Sequence, residues 1–257
     1  MKITKELLEE KGACADGYRD FLKEYPVDKY PDGVEYQELL DCCAEKNFRY
    51  GSWLLGAFGK TDEVRKIGGD LIVEKGIIFA GQLEAEGCIK AGWGIEAGWG
   101  IEAGYGIEAG HGIKAGYGIE AGHGIKAGLG IEAGDGIKAG DGIKAGRGIK
   151  VGWGIKAGYG IKAGGDIEAG WGIKAGCSIK TSWGINAGDG IKAGWGIEAG
   201  WGIEAGGGIE AGDEFGIYAG LRCRITNETQ RKIIAKKRPE NIMCGEFEEK
   251  SDSEGKA

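Results

Sequence analysis

Three residue groups in this 257-residue chain have types that do chemistry: two histidines, seven cysteines and a long series of tryptophans and tyrosines. His111 and His123 are the only imidazoles, so a zinc site would need carboxylates to complete its ligand set. Neither is embedded in a metalloenzyme motif, and no metal or other cofactor is expected. The cysteines (Cys14, Cys42, Cys43, Cys88, Cys177, Cys223 and Cys244) are odd in number, scattered, and form no Cys-x-x-Cys pair. That pattern reads as free thiols in a reducing cytoplasm. Gly-x-Gly recurs many times, but without alternating strands and helices around it the pattern is no dinucleotide fingerprint. No catalytic constellation emerges.

The aromatic residues are different, because they recur at one fixed place in a repeat. Trp93, Trp99, Tyr105 and Tyr117 form a first cluster; Trp153, Tyr159, Trp171, Trp183, Trp195 and Trp201 form a second. Asp135, Asp141 and Arg147 separate them, and His111 and His123 occupy the same repeat position. Each is flanked by two glycines, which predicts a corner with the side chain pointing outward. Exposed tryptophan in such numbers commonly marks a binding surface. The competing reading is that each ring covers adjacent glycine backbone and binds nothing.

The elements that position these rings follow from periodicity. From Leu71 an aliphatic residue recurs every six positions, through Ile77, Leu83, Ile89 and Ile95 to Ile209, and most hexads read Ile-Glu/Lys-Ala-Gly-x-Gly. A repeat of this kind governs the whole fold. In an extended segment Ile and Ala, two apart, share the inner face while the charged residue between them faces out. The Gly-x-Gly that follows is expected to make the bend, through backbone angles other residues avoid. One hexad cannot bury its isoleucine, but stacked coils bury each against the next. Glycine is abundant, with 55 residues against 3 prolines, yet its spacing is not that of collagen.

Three hexads per turn give a triangular coil of 18 residues, and two give a flattened coil of 12. At 18 the second-position charges oppose unlike charges more often; Glu96, Lys114, Glu132, Lys150 and Glu168 alternate along one column. Like charges directly opposite destabilise a sheet. At 12, Tyr159, Trp171, Trp183 and Trp195 would share one row. The charges and the core geometry favour the triangle, with about eight full coils and a rod of roughly 38 Å at about 4.8 Å per coil. Handedness is left open.

The predicted architecture is therefore a β-solenoid (parallel β-helix) over residues 69–220. It follows a small helical domain over 1–68 and precedes a C-terminal β cap and polar tail over 221–257. Thr4 is expected to cap a first helix and Asp16 a second. A third spans about Gly33 to Lys46 and a fourth starts near Phe48 and stops at Gly59. Two extra residues at Asp213–Gly216 shift the register. Arg222, Arg224, Arg231, Lys232, Lys236, Lys237 and Arg238 form a basic stretch that reads as a solvated surface or interaction tail. Ile233 and Ile234, then Ile242 to Phe247, are expected strands. The segment Met1 to Gly12 lacks the apolar core of a secretory leader, and no apolar run is long enough to cross a bilayer. The expectation is a cytoplasmic protein away from membranes. A net charge of −7 weighs against nucleic acid as partner.

The hexads resemble those of hexapeptide-repeat β-helices, and Gly69 to Gly76 (Gly-Asp-Leu-Ile-Val-Glu-Lys-Gly) resembles the opening of bactofilin-like polymer-forming solenoids. In the hexapeptide acyltransferases the small inward residue precedes the aliphatic one, whereas here Ala follows Ile. Those enzymes also interrupt their coils with pocket-forming loops, and between Leu71 and Gly212 there is no insertion. The pairing of a helical segment, Gly12 to Leu55, with Gly-Ile-Glu-Ala-Gly-Trp repeats is most similar to a group of uncharacterised bacterial and phage proteins. What the resemblance implies is a non-enzymatic rod that binds a protein partner, a host protein if phage-encoded, such as an inhibitor of host defence. A filament-forming solenoid, hence a homo-oligomer, or a carbohydrate- or small-ligand-binding one are the alternatives, and an acyltransferase is the weakest.

Overall fold

A computed structural model describes residues 1–212, 216–220 and 231–250. From Val64 onward the chain winds into three parallel sheets, of ten, ten and nine strands among the described residues. Ile107 pairs with Ile89 on one side and Ile125 on the other, so each coil takes 18 residues and the cross-section is triangular. Face 1 runs from Leu71–Val73 to Ile242–Cys244, face 2 from Ile77–Phe79 to Glu246–Glu249, and face 3 from Val64–Ile67 to Ile209–Glu210. The flattened 12-residue coil is excluded by this register. The coils are compatible with a hexapeptide-repeat β-helix.

Within each strand the alternation is as the sequence dictates. Ile137 and Ala139 are buried and Lys138 between them is exposed. Stacked isoleucines fill the prism from end to end. Burying each contributes about 1.5–3 kcal/mol.

The corner glycines serve a different purpose from the one expected. None between Gly68 and Gly216 has a positive φ. At the fourth position of a hexad, an added Cβ would instead run into the carbonyl oxygen of the preceding coil, as Gly110 would into that of Gly92. At the sixth position the contact is looser: a Cβ on Gly112 would lie 3.3 Å from the Gly130 oxygen. Close stacking of corner backbones, not an unusual backbone angle, selects glycine. The sixth position accordingly admits Gln82, Cys88, Asp166 and Ser178. The fourth admits Glu74, Ala80 and Glu86 in the first full coil, where no complete coil lies beneath.

The remaining exception is Ser182. Here the regular bond from Trp183 N–H to the Gly165 carbonyl is replaced: Trp183 donates to Thr181 Oγ1 over 3.3 Å, and that hydroxyl donates to Gly165. Thr181, buried where the repeat has alanine, relays the ladder across a corner that Ser182 holds open. Thr181→Val is expected to lower stability by about 1–3 kcal/mol in urea denaturation, because it strands both groups. The double change Thr181→Ala, Ser182→Gly restores the repeat and should recover that loss. A silent Thr181→Val would show that the relay contributes nothing.

The N-terminal segment forms four helices: α1 (Lys5–Glu10), α2 (Ala15–Glu24), α3 (Tyr36–Lys46) and α4 (Phe48–Phe58). Thr4 caps α1 through Leu7 N–H. Cys14, not Asp16, caps α2; its sulfur accepts from Gly17 N–H, and Asp16 lies in the first turn. The expected start of the third helix is instead a strand, Val34–Glu35, paired antiparallel with Lys2–Ile3. Val64–Ile67 belongs to face 3 of the solenoid.

The helices dock on the outside of face 2. Ile78, in the outward position that elsewhere holds Glu or Lys, is buried in the helical core together with Ala80. Gln37 donates to the Ile78 carbonyl over 2.8 Å and accepts from Ala80 N–H over 3.1 Å, while Ser52 bonds Glu96. Burial pushes the Cys43 thiol of α3 up to about 12. At pH 8 a thiol-specific reagent is therefore expected to label the exposed Cys14 long before Cys43. Equal labelling rates would contradict this packing.

At the far end, the expected C-terminal strands form at Lys232–Ala235, Ile242–Cys244 and Glu246–Glu249. They continue faces 1 and 2 in parallel rather than crossing the end of the rod, with Ile203 paired to Ile233 and Ile233 to Phe247. Two faces thus extend beyond the hexads, to ten strands rather than the eight coils expected. Arg222, Arg224, Cys223 and the polar tail lie outside the described residues. No helix among the described residues is long and apolar enough to cross a membrane.

Candidate interaction surfaces

The fifth positions fall into three rows, one along each edge of the prism, each residue hydrogen-bonded through its backbone to the one 18 before. The edge between faces 1 and 2 carries Trp93, His111, Leu129, Arg147, Trp183 and Trp201. The edge between faces 2 and 3 carries Trp99, Tyr117, Asp135, Trp153, Trp171 and Asp189. The third edge carries Tyr105, His123, Asp141, Tyr159, Cys177 and Trp195. The ten aromatic residues singled out from sequence are thus spread over all three edges rather than gathered on one surface.

Stacking unites them only in pairs. Trp153 and Trp171 lie parallel with ring centroids 5.2 Å apart, and Trp183 and Trp201 repeat this at 5.3 Å. Trp99 and Tyr117 meet at 5.0 Å, and Tyr105 and His123 at 5.3 Å. Trp153 and Trp171 remain 56% and 59% exposed, so pairing does not hide them. Trp93 and Trp99 are half-buried instead. Lys75 covers the first at 4.7 Å and Lys60 the second at 3.3 Å from the ring centroid. These two belong to the junction with the helical segment.

The histidines lie on different edges. His123 Nδ1 is 3.2 Å from Asp141, and among the described residues no three His, Cys, Asp or Glu side chains converge to hold a metal ion.

The faces carry a second pattern, at the outward second position. Face 2 alternates, with Lys114 and Lys150 bridging Glu96 and Glu168 at 3.6 and 3.3 Å. Face 1 stacks Lys126, Lys144, Lys162 and Lys180 in register. Face 3 stacks Lys138, Lys156, Lys174 and Lys192. Only the end members of each ladder are neutralised: Lys126 by Glu108 at 2.6 Å, Lys180 by Glu198, Lys138 by Glu120, and Lys192 by Glu210 at 2.5 Å. These bonds hold the Glu108 and Glu210 carboxyls below the usual range, and Glu120 raises Lys138. Lys144 and Lys162 on face 1, and Lys156 and Lys174 on face 3, have only lysines as sheet neighbours. None has an acidic partner among the described residues.

Like charges at one strand spacing, about 4.8 Å, repel and lower sheet stability. The ladders escaped the sequence reading because attention went to the aromatic fifth position. The signal was present: lysine at the second position of every third hexad. Comparison of the chain with protein-family models, with characterised proteins and with solved structures finds no match.

Proposed function

We propose that the chain is a non-enzymatic interaction rod, whose solenoid presents cationic and aromatic rows to an acidic protein partner. The observation that carries this reading is the face 1 ladder, in which Lys144 and Lys162 are held beside like charges with no internal counterion. A side chain kept where it destabilises its own sheet is best accounted for by a partner that neutralises it. Stacked, exposed Trp183 and Trp201 border this face and supply the apolar anchor that charge alone lacks. The even repetition of outward groups, with no acid–base pair set apart from the array, supports binding rather than catalysis. The likeness to phage-borne rods extends the proposal to an inhibitor that occupies a host defence protein.

The net charge of −7 makes protein the favoured class of partner over nucleic acid. Capture from nuclease-treated bacterial lysate tests the reading. The double variant Lys144→Glu, Lys162→Glu is expected to lose the captured protein while melting at or above the wild-type temperature. The triple variant Trp153→Ala, Trp171→Ala, Trp183→Ala is expected to weaken capture. Unchanged capture by both variants would remove the proposal.

A further inference from the structure

Face 3 differs from the other two in the order of its charges. Glu84, Glu102 and Glu120 stand in consecutive coils, and Lys138, Lys156 and Lys174 occupy the next three. The sign changes once, between Glu120 and Lys138. A strip with this order is complementary to itself when turned end for end. We propose that the chain forms an antiparallel homodimer through face 3, about a twofold axis that crosses the face between Glu120 and Lys138.

The register follows from the symmetry. Glu120 of each copy meets Lys138 of the other, Glu102 meets Lys156, and Glu84 meets Lys174. Every contact occurs twice. Lys156 and Lys174, which lack an acidic neighbour in their own chain, each gain one. Glu102, whose sheet neighbours are Glu84 and Glu120, gains a cation. The edges agree with the same operation: Trp99 falls opposite Trp153, Tyr117 opposite Asp135, Tyr105 opposite Tyr159, and His123 opposite Asp141. Lys66 would face Lys192, but Glu84 and Glu210 of their own chains already neutralise these at 3.2 and 2.5 Å.

Neither other face offers this. Face 1 turned on itself sets its lysines against lysines. Face 2 bridges its charges internally, and helices cover its first strands. Face 3 is open along a groove from Gln82 to Glu210. A parallel arrangement would place glutamate on glutamate, so only the antiparallel one fits. The strip is about 35 Å long at about 4.8 Å per strand, small for an interface, and a micromolar dimer is expected.

Sedimentation velocity of the full chain tests this. Wild type is expected to dimerise at 100 µM protein in about 20 mM salt, and to dissociate on raising salt to about 500 mM, where the screening length falls to a few ångströms. Glu102→Lys alone, and Lys156→Glu alone, should each weaken association at least tenfold. Mixed in equal amounts these two variants restore both contacts and should form a heterodimer. Lys144→Glu, on face 1, should leave dimerisation unchanged. Both lysine and glutamate occur at this outward position throughout the array, so the variants retain the fold, and far-UV circular dichroism checks that they do. A monomeric wild type at low salt, a mixture that fails to associate, or a dimer broken by Lys144→Glu would each overturn the proposal.

Discussion

Gly158→Ala is expected to destabilise the solenoid by about 3 kcal/mol or more, while Gly130→Ala leaves it unchanged or more stable by roughly 0.4–1 kcal/mol. Both residues flank a corner, and both substitutions add one methyl group. Gly158 occupies the fourth position, where the new Cβ would collide with the Gly140 carbonyl oxygen of the coil before it. That oxygen belongs to backbone stacked between neighbours, so relief requires the coils to part, and the bond from Gly158 N–H to the Ala139 carbonyl is lost with them. Gly130 occupies the sixth position, where the Cβ would lie 3.4 Å from the Gly148 oxygen, an ordinary contact. Alanine there only narrows the unfolded ensemble, which favours the folded state. Denaturant titration followed by circular dichroism gives both values. Equal losses at the two sites would show that glycine serves some purpose common to both, and the close-approach account would fail.

The natural sequence has run part of this experiment. Gln82, Cys88, Asp166 and Ser178 occupy sixth positions without disturbing the ladder on either side, and Asp166 even accepts a bond from Gly184 N–H at 2.7 Å. The one non-glycine at a fourth position beyond the first coil, Ser182, coincides with the one rearranged corner, where Thr181 relays the hydrogen bond. Substitution tolerance and backbone geometry thus point to one cause.

Periodicity made the solenoid legible because each hexad meets a near-identical hexad, and the chemistry of one unit determines the packing of all. Charge at the second position distinguished 18 residues per coil from 12, since Glu96, Lys114, Glu132 and Lys150 pair across strands only at 18. The purpose of the glycines was not legible. A tight corner and an unusual backbone angle select the same residue, and only the contacts of an added Cβ separate them. The aromatic rows were identified correctly as corner residues, but their division into three edges follows from the register. Clusters adjacent in sequence, such as Trp93, Trp99 and Tyr105, are placed on three different edges by a three-sided coil. The cap on α2 was missed because a cysteine sulfur can accept a backbone N–H when it stands one residue before the helix, although aspartate is the commoner choice.

Ile78→Lys is the second large effect, and it concerns how the two parts of the molecule are joined. By the rule of the repeat this change is conservative, because lysine is a consensus residue at the outward position. In the folded chain the outward side of Ile78 is covered by helices and the side chain is 1% exposed. Gly51 of α4 approaches so closely that a Cβ there would overlap Ile78 Cδ1. An ammonium group in that place would be buried without a counterion, and the lost apolar contact adds to the cost. A loss of several kcal/mol is expected, confined to the docking of the helices. The solenoid core lies on the opposite side of the same strand and keeps its stacked isoleucines. Helix docking and solenoid should therefore separate in the variant: Cys43 becomes reactive to thiol reagents and the helices become sensitive to protease, while the β-sheet signal and its melting midpoint persist. If Cys43 stayed protected, the helices would be held to the rod by contacts other than Ile78. If the sheet melted together with the helices, the solenoid would depend on them to close its first coil, where Glu74, Ala80 and Glu86 replace the glycine of every regular corner.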